Sequence, residues 1–380
     1  MLALLVNPVA GIGGPAGLAG SDGAAVQQRA NERGASSRAT ERALAALAEV
    51  AAAHPGARVL TVVGTMGADV ARAAGLEPVV IARHGEPSDA ADTTAAARAL
   101  ADGGASLLLF VGGDGTARDV AAGLGAGGRT AVLGVPAGVK MYSPVFAVSP
   151  RAAGGVAAAW LTDGGLPVRE QEVLDIDEEA LRHARVEPRL FGTLPVPFRP
   201  GRTQARKAAT PADEQAAVRA AARGAASALR PGVRYLLGPG GTMTELARLL
   251  GVPKTPLGVD VVLDGRRVLA GASEHELLDE IARGPAAAVI TVIGGQGFLL
   301  GRGNQQLSAR VLRALGADAL IVVAPEQKLI DLGGRPLLVD TGDPEVDAGL
   351  AGFIRVITGT STTSIYPVDA PEHEGEGHAP

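Results

Sequence analysis

The stretch LLLFVGGDGT, residues 107–116, runs from five apolar residues directly into three glycines, one carboxylate and one hydroxyl. Leu107–Val111 has the length and composition of a fully buried strand in the middle of a parallel sheet. Ala117–Leu124 then continues with the pattern of a helix. Open α/β sheets hold phosphorylated ligands where a strand ends and a helix begins, so the stretch predicts a phosphate-binding loop.

Alternating strand and helix patterns extend outward from this loop. Short apolar runs alternate with Ala-rich helical stretches, which predicts an α/β fold with an N-terminal doubly wound parallel sheet. The alternation returns after residue 232 and predicts a second, mixed α/β domain. Residues 11–35 are expected to form a long loop over the sheet edge. The predicted segments are a nucleotide-binding domain at 1–150 with the GGDGT loop, an irregular and helical connecting region at 151–231, a second α/β lobe with glycine-rich loops at 232–366 and a disordered tail at 367–380.

Composition restricts the class of protein. The 380 residues carry a formal net charge of -5, which argues against a nucleic-acid partner. Cysteine is absent, which excludes disulfides, thiolate zinc sites and cysteine nucleophiles. The N-terminal run MLALLV has no basic region and is too short for a signal peptide, and every apolar run is interrupted before it reaches the length of a membrane span. We therefore expect a cytoplasmic protein without a membrane partner.

Asp114 is the candidate catalytic residue of the loop. A carboxylate in this position can orient or deprotonate an acceptor hydroxyl as a general base. The alternative interpretation is a tight turn in which Asp114 caps the following helix. A cap explains the acidic residue but not the three glycines around it, so we favour contact with a ligand.

Further polar and glycine-rich segments follow predicted strands or interrupt apolar stretches, and each is a candidate contact to nucleotide phosphates or bases. Each could instead be an ordinary turn or a solvated surface group. Lys140 is a candidate phosphate-facing cation, and Arg302 offers a planar fork for phosphate. The candidate nucleotide-binding residues are Asn7, Gly11, Gly13, Gly14, Gly112, Gly113, Gly115, Thr116, Lys140, Gly240, Gly241, Thr242, Gly295, Gln296, Arg302 and Asn304.

An acidic cluster in the connecting region is a candidate metal site. Its members Asp175, Asp177 and Glu178 could hold Mg²⁺ or a ribose, because carboxylate oxygens are the ligands that Mg²⁺ prefers. Most charge runs are solvated faces, and that alternative stays open.

The GGDGT loop resembles the signature of the NAD kinase superfamily, which diacylglycerol and sphingosine kinases share. Other segments narrow the resemblance to the ATP–NAD kinase-like group of AcoX type, and together they cover nearly the whole chain. These segments are NPVAGIGG (7–14), GSDG (20–23), GVPAGVKMYSPVFAVSP (134–150), EVLDIDEE (172–179), GPGGT (238–242), GGQGFLLGRGNQQLS (294–308) and VDTGD (339–343).

The resemblance implies a kinase that transfers a phosphoryl group from ATP or polyphosphate to the 2′-hydroxyl of NAD, with Mg²⁺ and with Asp114 as the base. It also implies a homo-oligomer, by analogy with the superfamily. One departure concerns the acceptor: ordinary NAD kinases have an Asn-Asp pair where Lys140-Met141 stands here, and an all-β second domain. The alternatives are a kinase of another small-molecule or lipid hydroxyl, and a non-catalytic nucleotide-binding regulatory protein.

Overall fold

A computed structural model describes residues 1–18, 24–85, 87–125, 128–138, 141–176, 188–199, 214–293, 296–316 and 319–371. The chain divides into two compact units, which are Met1–Gly11 with Ser37–Arg206, and Ile12–Ser36 with Lys207–Pro380. Each unit contains its own main sheet, and the predicted α/β class is confirmed. None of the described helices is long and apolar enough to cross a membrane.

The strands and helices are numbered in chain order. The strands are β1 (Leu2–Val6), β2 (Arg58–Val62), β3 (Glu77–Ala82), β4 (Leu107–Gly112), β5 (Ala131–Pro136), β6 (Val168–Ile176), β7 (Pro188–Pro197), β8 (Arg234–Leu237), β9 (Val259–Leu263), β10 (Arg266–Ala272), β11 (Ala286–Thr291), β12 (Phe298–Leu300), β13 (Leu320–Val323), β14 (Leu337–Val339), β15 (Gly352–Ile357) and β16 (Thr363–Asp369). The helices are α1 (Ala24–Glu32), α2 (Ala39–Ala53), α3 (Ala68–Ala73), α4 (Ala90–Asp102), α5 (Asp114–Leu124), α6 (Pro150–Asp163), α7 (Glu214–Ala228), α8 (Gly241–Leu249), α9 (Glu274–Ala282), α10 (Ala309–Leu315), α11 (Glu326–Ile330) and α12 (Pro344–Leu350).

The first unit contains a parallel sheet with the strand order β3-β2-β1-β4-β5. Every neighbouring pair in it is parallel. The apolar runs of β1, β4 and β5 are buried along their whole length, whereas the edge strand β3 is partly exposed. The predicted doubly wound sheet is therefore confirmed, and the carboxyl ends of β1, β4 and β5 lie at one edge.

Small residues let the helices of the first unit pack closely. The buried face of α2 repeats at helical spacing through Ala39, Ala43, Ala46 and Val50 and packs against α6. A Cβ on Gly154 of α6 would lie 2.0 Å from the carbonyl oxygen of Ala46, so the two backbones nearly touch. Abundant Ala and Gly thus provide much of the core of a chain in which only 3% of the residues are aromatic.

The connecting region is more regular than predicted. Val168–Ile176 and Pro188–Pro197 form the antiparallel pair β6 and β7 within 151–231, where we expected irregular and helical structure. Residues of this region also belong to the first unit, which extends past residue 150 to Arg206. Charged residues in β6 and prolines in β7 hid the alternation of apolar side chains that normally signals a hairpin.

The second unit contains, in its described residues, a nine-stranded mixed sheet in the order β10-β9-β8-β11-β13-β15-β16-β14-β12. Strands β8, β11, β13 and β15 run parallel, and β9 pairs antiparallel with both of its neighbours. Strand β16 pairs antiparallel with β15 and parallel with β14. This confirms the predicted mixed second domain. Residues 367–369, which the sequence assigned to a disordered tail, form the end of β16 because Val368 pairs with β14 and β15. Residues 372–380 of that segment lie outside the described residues.

The segment Ile12–Ser36 belongs to the second unit, and the prediction of a long loop in the N-terminal domain is corrected. It contains α1, and Ile12, Ala16 and Ala30 are buried in a small apolar cluster. The carbonyl of Pro15 accepts a hydrogen bond from the N–H of Glu274 at 2.9 Å. This contact involves a residue more than 250 positions further along the chain, which local sequence patterns cannot reveal.

Candidate functional site

Asp114 is the first residue of α5, directly after β4, and it is only 4 % exposed. Its Oδ2 accepts a hydrogen bond from the backbone N–H of Tyr142 at 2.5 Å, and its Oδ1 accepts one from the N–H of Ser143 at 3.0 Å. Gly113 is the N-cap residue of α5, and no side chain caps this helix. The capping role considered as an alternative is therefore not formed, and the carboxylate instead holds the segment after β5.

Burial raises the pKa of Asp114 to about 7, although hydrogen bonds from Ser143 and Tyr142 favour the charged form. The negative charge of the nearby Asp175 carboxylate also raises the pKa of Asp114. The group is thus close to half-ionised at neutral pH, which is the condition in which a carboxyl group can both accept and return a proton.

The raised pKa of Asp114 predicts that pH changes stability. The folded state binds the proton more tightly than the unfolded state between pH 3.8 and about 7, so stability falls as pH rises through this window. From pH 5 to pH 8 we expect Asp114 to lower the free energy of unfolding by about 3 kcal/mol. Urea unfolding of the wild type and of Asp114→Asn, followed by the fluorescence of Trp160, measures the difference. An equal pH dependence in both proteins would contradict it.

Ser143 connects the Asp114 carboxylate to the hairpin of the first unit. Its Oγ donates to the carbonyl of Leu174 at 2.8 Å and accepts from the N–H of Leu174 at 2.9 Å. Ser143 itself is fully buried. Strand β6 therefore fixes the position of the N–H groups that hold the carboxylate.

Asn7 lies beside the GGDGT loop, because the parallel strands β1 and β4 end at the same edge of the sheet. Its Nδ2 donates to Thr116 Oγ1 at 3.0 Å, and its Oδ1 accepts from the N–H of Val9 at 3.2 Å. The carbonyl of Gly112 in turn accepts from the N–H groups of Ala137 and Gly138. The turns after β1, β4 and β5 thus form one hydrogen-bonded group at the carboxyl edge of the sheet.

Gly11 allows two of these turns to touch. It adopts a φ of +75°, and a Cβ there would lie 2.1 Å from the carbonyl oxygen of Ala137. We expect Gly11→Ala to lower the free energy of unfolding by at least about 2 kcal/mol, because backbone strain and a clash add together. Gly56→Ala is the matched control, with a φ of +68° and no atom within 4 Å. Urea unfolding followed by Trp160 fluorescence compares them, and equal losses would contradict the predicted clash.

The predicted metal cluster is only partly described. The Oδ2 of Asp175 lies 2.8 Å from the guanidinium of Arg118 on α5, so this carboxylate forms an ion pair. Asp177 and Glu178 lie outside the described residues, as does Lys140. Within the ranges that are described, no group of three His, Cys, Asp or Glu residues is placed to hold a metal ion.

The candidate glycines Gly13 and Gly14 belong to the second unit. In the same unit, Gly240 is the N-cap residue of α8, and Gly241 and Thr242 form its first turn. Gln296 is buried after β11, and Gly295 lies outside the described residues. The structure therefore places Gly240 and Thr242 where a strand ends and a helix begins, as predicted.

Arg302 and Asn304 both contact other groups of the second unit. The guanidinium of Arg302 contacts the Asp340 carboxylate at 2.7 Å and lies 4.3 Å from the ring centroid of Phe298. The side chain of Asn304 accepts from the N–H of Gly301 and donates to the carbonyl of Leu299. These contacts fix the loop that follows β12, and the ligand contact of the two residues stays a prediction.

Two parts of the arrangement were missed at the sequence level. The donors to Asp114 are backbone N–H groups of Tyr142 and Ser143, and backbone groups carry no residue-type signal. Asp340 was noted only within the segment VDTGD. The available signal was the position of Asp340 directly after an apolar strand. A carboxylate buried there needs a charge partner, and a buried arginine can supply it.

Two family models match the chain. The model of the ATP-NAD kinase N-terminal domain matches residues 2–165, and the model of the ATP-NAD kinase C-terminal domain matches residues 230–368. Comparisons with curated proteins and with solved structures gave no significant match. The first matched stretch contains the five-stranded sheet of the first unit, and the second covers the nine-stranded sheet of the second unit up to Val368.

Proposed function

We propose that this chain, which belongs to the NAD kinase family, transfers a phosphoryl group to the 2′-hydroxyl of NAD and so produces NADP. The matched domains are those of a phosphotransferase, and the family implies ATP and NAD as substrates. Polyphosphate as an alternative donor and the AcoX-type subgroup rest on the sequence motifs alone, and we include both in the proposal.

The observation that carries the proposal is the environment of the Asp114 carboxylate. The group is buried and held by two backbone N–H groups, and its pKa lies near neutrality. A general base is most effective when its pKa is close to the operating pH. In the proposed reaction, Asp114 accepts the proton of the 2′-hydroxyl as that oxygen attacks the terminal phosphorus of the donor. The bond from this phosphorus to the bridging oxygen breaks, and ADP or the shortened polyphosphate leaves.

The first turn of α5 supports a role in binding the phosphates of the donor. The N-terminus of a helix presents backbone N–H groups and a partial positive charge to an anion. Gly112, Gly113 and Gly115 have no side chains to keep a phosphate away from these groups. We propose these glycines and Thr116 as contacts to the donor phosphates, with Asn7 orienting the Thr116 hydroxyl. Holding the reactants in line supplies most of the catalysis in phosphoryl transfer.

Nucleotide binding is also proposed for six residues of the second unit, which are Gly13, Gly14, Gly240, Gly241, Thr242 and Gln296. Arg302 and Asn304 are engaged by Asp340 and by backbone groups. We therefore propose that these two residues act by keeping the loop after β12 rigid. A rigid loop loses less conformational entropy when it binds a ligand.

Mg²⁺ is implied by the family, and the described carboxylates do not form a cage for it. Asp175 is already paired with Arg118. In nucleotide sites Mg²⁺ keeps several waters and is bound by substrate phosphates with one or two carboxylates. We propose that Mg²⁺ enters as part of the substrate, bound to the donor phosphates.

The test is direct formation of NADP. Purified protein is incubated with Mg²⁺ and NAD, with either ATP or polyphosphate as donor, and NADP is measured with an NADP-specific dehydrogenase. Product with either donor supports the proposal and identifies the donor. Phosphorylation of diacylglycerol in place of NAD would instead support the lipid kinase alternative. Tight NAD binding without product from any donor would support the non-catalytic alternative.

A further inference from the structure

Two buried threonine hydroxyls in the second unit have no hydrogen-bond partner among the described residues. Thr242 Oγ1, in the first turn of α8, and Thr291 Oγ1, at the end of β11, are both inaccessible to solvent. The residues are 1 % and 7 % exposed. A buried hydroxyl without a partner is energetically costly, so two of them in one region indicate that a polar ligand completes the site.

The two threonines lie at the same edge of the sheet. Strands β8 and β11 are parallel neighbours, and the N–H of Gly238 after β8 donates to the carbonyl of Val289. Gly240, which follows, has a φ of +109°, and a Cβ there would lie 3.1 Å from the Thr291 methyl group. The Thr291 side chain therefore packs directly against the N-cap residue of α8.

The N-terminus of α8 is free of side-chain caps. Gly240 has no side chain with which to bind the first-turn N–H groups, and no side-chain cap is formed. The helix has nine residues, which is long enough for its dipole to place partial positive charge at this end. Backbone N–H groups and two hydroxyls are together the donors that commonly hold a phosphate.

A cation lies at the same edge. Lys328 belongs to α11, which follows β13, and β13 is the other parallel neighbour of β11. Its Nζ lies 3.4 Å from the carbonyl oxygen of Val292, the residue next to Thr291. The strand ends of β8, β11 and β13 thus supply hydroxyls, a helix N-terminus and a positive charge.

We infer that Thr242 and Thr291 bind a phosphate group of a phosphorylated ligand at the N-terminus of α8, with Lys328 supplying positive charge. That the ligand carries a phosphate is argued from residues of the second unit alone. The identity of the ligand rests on the proposed function, which offers three sources: NAD, ATP and polyphosphate. Thr291 and Lys328 become phosphate-site residues that no sequence motif indicated.

Isothermal titration of the full chain with inorganic tripolyphosphate, ATP and NAD tests the site. We expect Thr242→Val and Thr291→Val each to weaken binding of at least one of these ligands fivefold or more. Thr244→Val is the matched control, because Thr244 is exposed on the same first turn and its hydroxyl donates to the carbonyl of Gly240. Weakened ATP and tripolyphosphate binding assigns the site to the donor, and weakened NAD binding assigns it to the acceptor.

Thermal unfolding without ligand separates this inference from a structural role. Valine removes a buried hydroxyl that has no partner, so both variants should melt at the wild-type temperature or above it. Thr242→Ser and Thr291→Ser keep the hydroxyl and should retain binding. Wild-type affinity for all three ligands in both valine variants would overturn the inference. If the threonine variants weaken ligand binding but the wild type forms no NADP, only the proposed reaction is overturned, and the inferred phosphate site stands.

Discussion

Replacing Asp114 with Asn is expected to lower kcat for NADP formation by about 10²- to 10⁴-fold, the usual contribution of a positioned general base. The amide cannot accept the proton of the 2′-hydroxyl, whereas the shape of the side chain is preserved. Initial rates of NADP formation at saturating NAD and ATP measure the change. Asp102→Asn, which neutralises an exposed carboxylate at the end of α4, is the control and should keep the wild-type rate.

The fold of the Asp114→Asn variant should survive. The amide oxygen can accept from only one of the N–H groups of Tyr142 and Ser143, which costs about 1–3 kcal/mol. Above pH 7 the loss is offset because no buried charge remains. Circular dichroism and Trp160 fluorescence check the fold. A folded variant with the wild-type kcat would exclude Asp114 as the base.

The same carboxylate predicts the pH dependence of the reaction. Because the pKa of Asp114 is about 7, the rate should rise with pH through neutrality and level off above it, as the base loses its proton. The residual activity of Asp114→Asn should lack this rise. The activity of the wild type and its stability therefore change in opposite directions between pH 5 and pH 8.

Replacing Arg302 with Met is expected to lower the free energy of unfolding of the second unit by about 3–5 kcal/mol. Arg302 and Asp340 are almost fully buried, with side-chain exposures of 2 % and 0 %. Removing the guanidinium leaves the Asp340 carboxylate buried without its charge partner. Urea unfolding followed by circular dichroism measures the loss, and Trp160 fluorescence separately reports the first unit.

Two variants make the Arg302 prediction specific. Arg310→Met removes an exposed arginine that lies 3.7 Å from Glu274, and exposed pairs contribute at most about 1 kcal/mol. The double variant Arg302→Met with Asp340→Leu removes both charges and should regain at least half of the lost stability. If Arg302→Met instead weakened nucleotide binding without loss of stability, direct contact with the ligand would replace the structural role.

The sequence predicted the parts of this site that depend on local patterns. The apolar run of β4 and the glycines after it placed Asp114 at a strand end, and the shared edge of parallel strands placed Asn7 beside Thr116. The turn after β8 was likewise recognisable from GPGGT. In each case neighbouring residues along the chain determine the structure, so the pattern of residue types was sufficient.

Other parts depend on contacts between distant residues. The pairing of Arg302 with Asp340, and of Asp114 with the backbone after β5, brings together residues about 30 to 40 positions apart. A sequence pattern shows that a charge is present but not which group lies opposite it. The sequence therefore predicted a ligand for Arg302 and did not predict Asp340, because an arginine among glycines suits both a phosphate and a buried carboxylate.

The assignment of Ile12–Ser36 to the second unit has a consequence for biosynthesis. This segment leaves the ribosome before nearly all of the first unit, yet apart from α1 the strands and helices of its own unit begin only after residue 207. The cluster of Ile12, Ala16 and Ala30 lies within the segment, but the carbonyl of Pro15 must wait for the N–H of Glu274 while the first unit is completed. Neither unit is one continuous stretch of chain, so truncation at residue 206 would give an unpaired N-terminal segment instead of a free-standing half.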